Sequence, residues 1–303
     1  MEYNIDFTES LESQVRRIAR QRLEDAASLL DDMPDGADKA IHGARKHIKQ
    51  CRALYRLVAD SAREFQQAEN QRLGDIAREL SHLRDAAALM EVTEYLKREI
   101  GSKANAMLMD RLAKRLERRH RHLTGEAAEA SEVLHKASRD LRQAASDVDR
   151  LDLPNGPRKG ADCVVIGWEK VSRKARRAIA LAASGDHEEA FHDLRKRSQD
   201  RWMHAACMYD LWPTAMISIQ RQAKGLSDLL GHMQDLSVLD EAITTAPELV
   251  QDNVENEAVR DAIRAQQAKL REESLERAGD LFRKSKPRDG KVIGRLIRKR
   301  AGE

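Results

Sequence analysis

The chain has 303 residues, 41% of them hydrophobic, enough to bury the core of one large or two medium domains, which argues against a disordered chain. Charged residues reach 35% and aromatics only 4%, with 15 Gly and 6 Pro, a mix poor in strand and turn formers that favours helix. The 54 Lys and Arg nearly balance 51 Asp and Glu, and the net charge of +3 selects no class of partner by itself.

The opening Met1-Glu2-Tyr3-Asn4-Ile5-Asp6 has no basic patch followed by an apolar run, and no stretch of about 18 uncharged apolar residues occurs, so secretion by a standard signal and membrane spanning are both disfavoured. Cys51, Cys163 and Cys207 are odd in number, far apart and without a CxxC pair. Neither a disulfide framework nor a thiolate zinc site is indicated, and a reducing cytoplasm fits.

In chain order, apolar periodicity predicts helices over about residues 8–32, 37–67, 70–100 and 104–149, with Gly125 a candidate break in the last. Leu153-Pro154-Asn155-Gly156-Pro157 then interrupts the pattern near the midpoint and separates residues 1–152 from 158–303. The second half predicts helices over about residues 159–184, 187–211, 214–245 and 252–284, then a short basic helix after Pro287.

The halves are related by an internal repeat. His42-Gly43-Ala44-Arg45-Lys46 matches His192-Asp193-Leu194-Arg195-Lys196, and Ser81-His82-Leu83-Arg84-Asp85 matches Gly231-His232-Met233-Gln234-Asp235, both at an offset of 150 (192 − 42 and 231 − 81). A duplicated helical bundle is the expected architecture.

Like charges are gathered into separate helices. On the second helix His42, Arg45, Lys46, Lys49, Arg52 and Arg56 cover an arc of roughly 120°, opposite Ile41, Ala44, Ile48, Cys51, Tyr55 and Val58. No acid occurs from Lys39 to Ala59, so the usual pairing one turn away is missing, and the stripe calls for a polyanion or an acidic neighbour. Further stripes are Arg173, Arg176 and Arg177 within the base-rich run Lys170 to Arg177, and Arg111, Lys114, Arg115, Arg118 and His122. From Gly225 to Val259 there is no Lys or Arg but there are acids at 228, 235, 240, 241, 248, 252, 255 and 257, a segment suited to docking on a basic face of a neighbour or of the same molecule.

The paired His-x-x-Arg-Lys helices, each followed by an Asp-ended turn at Asp85 or Asp235, resemble the CHAD family, the conserved histidine α-helical domain, over essentially the whole chain, and residues 281–287 resemble the end of that domain. The resemblance implies an all-α fold of two four-helix bundles related by a pseudo-twofold axis, with basic helices facing a central cavity. It also implies binding of inorganic polyphosphate, often at polyphosphate granules, without catalysis. The family motif carries onto His42, Arg45, Lys46, Lys49 and Arg52, and onto His192, Arg195 and Lys196. Gln199 and Gln234 depart from its basic character, which makes the second half the weaker one. The expected binding set adds Arg20, Arg111, Arg115, Arg118, Arg173, Arg176 and Arg177, with no cofactor. His42 and His192 either touch phosphate or pack against a carboxylate such as Asp85 or Asp235, and those two aspartates are assigned to turn or helix-capping duty.

The chemistry suits that ligand. Polyphosphate is a flexible chain of closely spaced anions without base faces, so its site needs many fixed cations and few aromatics. Nucleic acid is the main rival because it uses the same cations, but Tyr55, Trp168, Trp202 and Trp212 sit among apolar positions and are read as core rather than a stacking platform. Three Glu-x-x-His strings, Glu117 to His120, Glu132 to His135 and Glu189 to His192, admit a metal reading that the surrounding arginines disfavour. No GxxxxGK[ST], HExxH or GxSxG is present, so no enzyme is expected.

Overall fold

The computed structural model describes residues 3–83, 85–100, 103–123, 127–185, 187–283 and 288–302. Among them the chain forms eleven α-helices and no strand: α1 (Leu11–Asp32), α2 (Ala37–Leu57), α3 (Arg63–His82), α4 (Asp85–Glu99), α5 (Lys103–Leu123), α6 (Ala127–Asp147), α7 (Pro157–Ala183), α8 (Glu188–Cys207), α9 (Pro213–Thr245), α10 (Asn253–Ala278) and α11 (Arg288–Arg300). The all-helical expectation holds.

Local signals account for several boundaries. Ser10 caps α1 by accepting from the Ser13 N–H, and Asp252 caps α10 by accepting from the Glu255 N–H at 2.8 Å. Pro157 and Pro213 begin α7 and α9, where a missing N–H costs nothing. In the linker Gly156 takes φ +93°, a conformation that favours glycine.

Three predicted helices are in fact divided. The helix expected over 37–67 stops at Leu57, and the Ser61 N–H bonds back to the Val58 carbonyl before α3 begins. Val58, Ala59 and Ala62 are buried in this turn, so the apolar period continues through a chain reversal, which hid the break. The helix expected over 70–100 divides after His82. The expectation for 104–149 becomes α5 and α6, and Gly125 lies outside the described residues. The turn assignment at Asp235 is corrected: it sits within α9, ten residues before that helix ends, where no free amide needs a cap. Asp85 is the first residue of α4, and its side chain lies outside the described ones, as do those of His120 and His122.

Two apolar cores do not divide at the linker. The first joins α1, α2, α3 and α6 to the start of α7, Ala205 and Cys207 of α8, and Ile293 and Ile297 of α11. The second joins α4 and α5 to Val171 through Ala182 of α7, Ala190 through Leu194 of α8, most of α9 and α10, and Phe282. Helices α7 and α8 therefore run through both cores. Charged side chains at the middle of either helix fall at the junction, next to α2.

Candidate functional site: a cation-lined cavity between α2, α7 and α8

The apolar side of α2 is buried as its spacing predicts, with Ala44, Ile48, Cys51, Tyr55 and Val58 all fully enclosed. This turns the basic stripe toward α3 and α8. Arg52 spreads over Gly74 of α3, where a Cβ would stand 3.3 Å from its Nη2, and it donates to Asn70 Oδ1 at 3.1 Å. Arg56 donates to the same oxygen at 2.8 Å and to the buried Asp200 of α8 at 2.7 Å. Asp200 also accepts from Arg197 at 3.0 Å. One carboxylate at 1% side-chain exposure thus ties α2 to α8 with two arginines.

Arg52, Arg56, Asn70 and Arg197 line an open cavity of about 510 Å³. Its cations are Arg52 and Arg56 of α2, Lys170 and Lys174 of α7, and Lys196 and Arg197 of α8, and no carboxylate occurs among the described lining residues. The two halves of the sequence meet here. Among the described residues neither Lys170 nor Lys174 has an ion-pair or hydrogen-bond partner, and Lys196 has Asp193 at 3.5 Å. Asp200 offsets Arg56 and Arg197 and Asp193 offsets Lys196, so the uncompensated charge of the lining falls on Arg52, Lys170 and Lys174. Burial first, then Arg56, pulls the Arg52 guanidinium down to about 10, and burial, then Arg197 and Lys170, holds the Lys174 ammonium below its ordinary range.

One turn earlier on α2, Lys49 is half-buried and has no partner among the described residues. Burial, then the charges of Arg45 and Arg195, brings its ammonium down to about 8, against the opposing pull of Asp228 and Asp235 of α9. Arg45 donates to Ser81 of α3, while Arg195 lies over Gly231 of α9 and donates to Gln234 at 2.7 Å. His192 holds Gln234 Oε1 from Nδ1 at 3.1 Å, so its partner is an amide and not Asp235. Asp235 is reached by water yet crowded by helices, and burial raises its carboxyl above the usual range against the pull of Arg195 and His232. His42 and Lys46 are exposed on the same side of α2.

The family model of the CHAD domain matches residues 10–244. The chain belongs to the CHAD domain family. The CHAD match runs from the cap of α1 almost to the end of α9 and includes every helix that lines the cavity, while α10 and α11 lie beyond it. A comparison with curated proteins finds no match. Among the described residues no helix is long and apolar enough to cross a membrane.

Within this CHAD domain only part of the expected binding set converges. Arg52 and Lys196 line the cavity, and Arg45, Lys49 and Arg195 form the adjoining cluster. His192 opens onto a different cavity, of about 330 Å³, shared with Glu188, Glu189 and Glu241. Arg173, Arg176 and Arg177 are exposed on α7 outside the cavity lining. Arg20 pairs with Asp149 at 2.7 Å. Arg111 and Arg115 are held by Glu255 at 2.9 and 2.6 Å, and Arg119 by Glu248, so the acidic segment docks on the α5 stripe of the same molecule. Arg118 is exposed and donates to the Lys114 carbonyl of its own helix at 3.3 Å.

Sequence reasoning missed Lys170, Lys174 and Arg197. Lys170 and Lys174 are four residues apart on the face that also carries Gly167, and that small residue was the available signal of a close helix approach. Of the aromatics read as core, Tyr55 and Trp168 are buried, but Trp212 is 47% exposed. Trp168 carries the guanidinium of buried Arg201 at 3.5 Å from its ring centre.

Proposed function

We propose that this CHAD domain binds inorganic polyphosphate, without transforming it, in the cavity between α2, α7 and α8 and along the adjoining Arg45, Lys49 and Arg195 cluster. The family's association with polyphosphate supports this reading. The observation that carries it is the six-cation lining drawn from both halves of the chain with no carboxylate among the described lining residues. Cations held together against their own repulsion are relieved by an anion, and arginine forks beside lysine point charges accept a ligand that has no fixed register. Phosphate oxygens meet charge-assisted donors along the trough.

The bundle duplication belongs to the same reading. Arg45 contacts Ser81 and Arg195 lies over Gly231, positions separated by 150 in both cases (195 − 45 and 231 − 81). Equivalent arginines thus meet equivalent points of their neighbouring helices. A cytoplasmic location at polyphosphate granules follows from the ligand, and a labelled chain is expected to lose its foci in cells unable to make polyphosphate.

The test is competition. Immobilised long polyphosphate should retain the chain, free polyphosphate should displace it, and short polyphosphate should do so less well at equal phosphate. Affinity should fall steeply with salt as counterions are released. Displacement by DNA equally well at matched charge would replace this reading with non-specific nucleic-acid binding, and a flat salt response would exclude contact with many phosphates.

A further inference from the structure

A further cavity, of about 410 Å³, lies where the segment before α1, α1 itself, the turn after α8 and the end of α11 meet. It shares no lining residue with the cation-lined cavity, and Arg300 in its wall lies beyond the residues that match the family model. Its size falls within the range of small-molecule sites, roughly 300–1,000 Å³. The Ile5 N–H pins the first segment in place by donating to the Cys207 carbonyl at 2.8 Å.

Four charged side chains line this cavity, Arg17 and Arg300 together with Asp6 and Asp210, and among the described residues none of them forms an ion pair. Each is held by neutral groups instead. Arg17 donates from Nη2 to the Asn4 carbonyl at 3.0 Å and to Gln14 Oε1 at 2.8 Å, and Arg300 donates from Nη2 to the Asp210 carbonyl at 2.9 Å. Asp6 accepts on Oδ1 from the Thr8 N–H at 2.9 Å and from the Thr8 hydroxyl at 2.7 Å, while Asp210 accepts on Oδ2 from the Asn4 side-chain amide. Each guanidinium thus keeps Nε and Nη1, and each carboxylate keeps one oxygen, without a hydrogen-bond partner among the described residues. The two Thr8 bonds, with the charges of Arg300 and Arg17 behind them, hold the Asp6 carboxyl below its ordinary range, so it is ionised at neutral pH.

We propose that this cavity binds a small zwitterion, an α-amino acid with a compact apolar side chain, its carboxylate on Arg17 and Arg300 and its ammonium on Asp6 and Asp210. A ligand with one sign of charge is attracted by two of these groups and repelled by the other two, whereas a dipolar ligand satisfies all four. The guanidinium forks match a carboxylate, and the spare carboxylate oxygens accept from an ammonium. Because neutral bonds already fix the four side chains, no ion pair has to break on binding, which lowers the cost of association. Ile5, Phe7 and Leu211 complete the wall against which an aliphatic side chain rests. Asp6 and Asp210 disfavour a polyanion here, so the site goes beyond the function proposed above and does not depend on it.

The experiment titrates the full chain with L-leucine near neutral pH, by calorimetry and ligand-observed NMR, beside two analogues that each lack one charge: isocaproate, without the amine, and isoamylamine, without the carboxylate. Leucine should bind, and each analogue should bind about tenfold more weakly or worse, because each leaves two charged groups without their partner. Asp6→Asn should weaken leucine binding about tenfold and leave isocaproate no weaker, and Arg300→Gln should weaken leucine and leave isoamylamine no weaker. Both side chains are exposed, so the helical circular dichroism of the variants should match that of the wild type. A wild-type chain that does not bind leucine, equal binding of all three ligands, or leucine binding untouched by both substitutions overturns the proposal.

Discussion

Gly167 of α7 lies against the carbonyl oxygen of Leu57, the last residue of α2, so closely that a Cβ at 167 would overlap that oxygen. The obstacle is backbone, which cannot swing aside as a flexible side chain can. The glycine is required here by a close helix approach and not by its dihedral angles. Because Gly167 also lines the cavity, this contact fixes how near the Lys170 and Lys174 face of α7 stands to Arg52 and Arg56.

Gly167→Ala should therefore separate α7 from α2 and lower stability by roughly 2 kcal/mol or more, at the upper part of the usual range for overpacked sites. Urea unfolding of the variant measures this. A midpoint equal to that of the wild type would mean that the two helices part freely, and the cavity would then have no fixed width.

The cavity can be separated from bulk charge by two variants of equal charge change. Lys170→Glu with Lys174→Glu should abolish retention on polyphosphate, because both side chains line the cavity. Arg173→Glu with Arg176→Glu, on the exposed remainder of α7, should leave retention close to wild type. Helical circular dichroism should be unchanged in both. Equal loss in the two variants would show that net charge, not the cavity, governs binding.

The difference between these pairs also marks how far the sequence could be read. The α2 stripe was legible because one period served both purposes: Ile41, Ala44, Ile48 and Cys51 are buried, and the cations between them necessarily face the other way. The run Lys170 to Arg177 of α7 holds five bases, and which of them meet α2 depends on Gly167 and Leu57, residues 110 positions apart (167 − 57). Arg111 and Glu255 are likewise far apart in sequence, so the acidic segment could be read as a docking partner for some basic face without showing that α5 is that face. Patterning reveals which side of a helix is polar, while its partner is set by tertiary packing.

Glu255 gives that hidden pairing a measurable consequence. Burial disfavours its charge, but the bonds from Arg111, the Gln251 N–H and Arg115 outweigh burial and hold its carboxyl below the ordinary range. A folded-state value below the unfolded one contributes stability that is present above the unfolded value, about 4.3, and lost as pH falls through the folded one. Glu255→Gln leaves Arg115, at 18% side-chain exposure, facing a neutral amide and should cost about 2 kcal/mol at pH 7. Retention on polyphosphate should be unchanged. Clearly tighter binding by this variant would show that Arg111 and Arg115, once released, belong to the phosphate surface after all.

Lys49 yields opposite pH dependences for stability and for binding. Its folded-state value is about 8, whereas an unfolded lysine titrates near 10.4. Between these values the unfolded chain holds more protons, so the contribution of this group makes stability rise with pH across that window. Below pH 8 both states are protonated and the destabilisation is present in full. A polyanion reverses the balance by favouring the ammonium and raising its value, so binding above pH 8 draws a proton onto Lys49 and affinity should fall as pH increases. The carboxylates acting on Lys49 are Asp228 and Asp235, beside the guanidiniums of Arg45 and Arg195. Calorimetry at about pH 8.5 in two buffers of different ionisation enthalpy should register proton uptake in the wild type and little in Lys49→Met, which should also be the more stable protein at pH 7. Identical binding heats in the two buffers for the wild type would remove Lys49 from the phosphate contact.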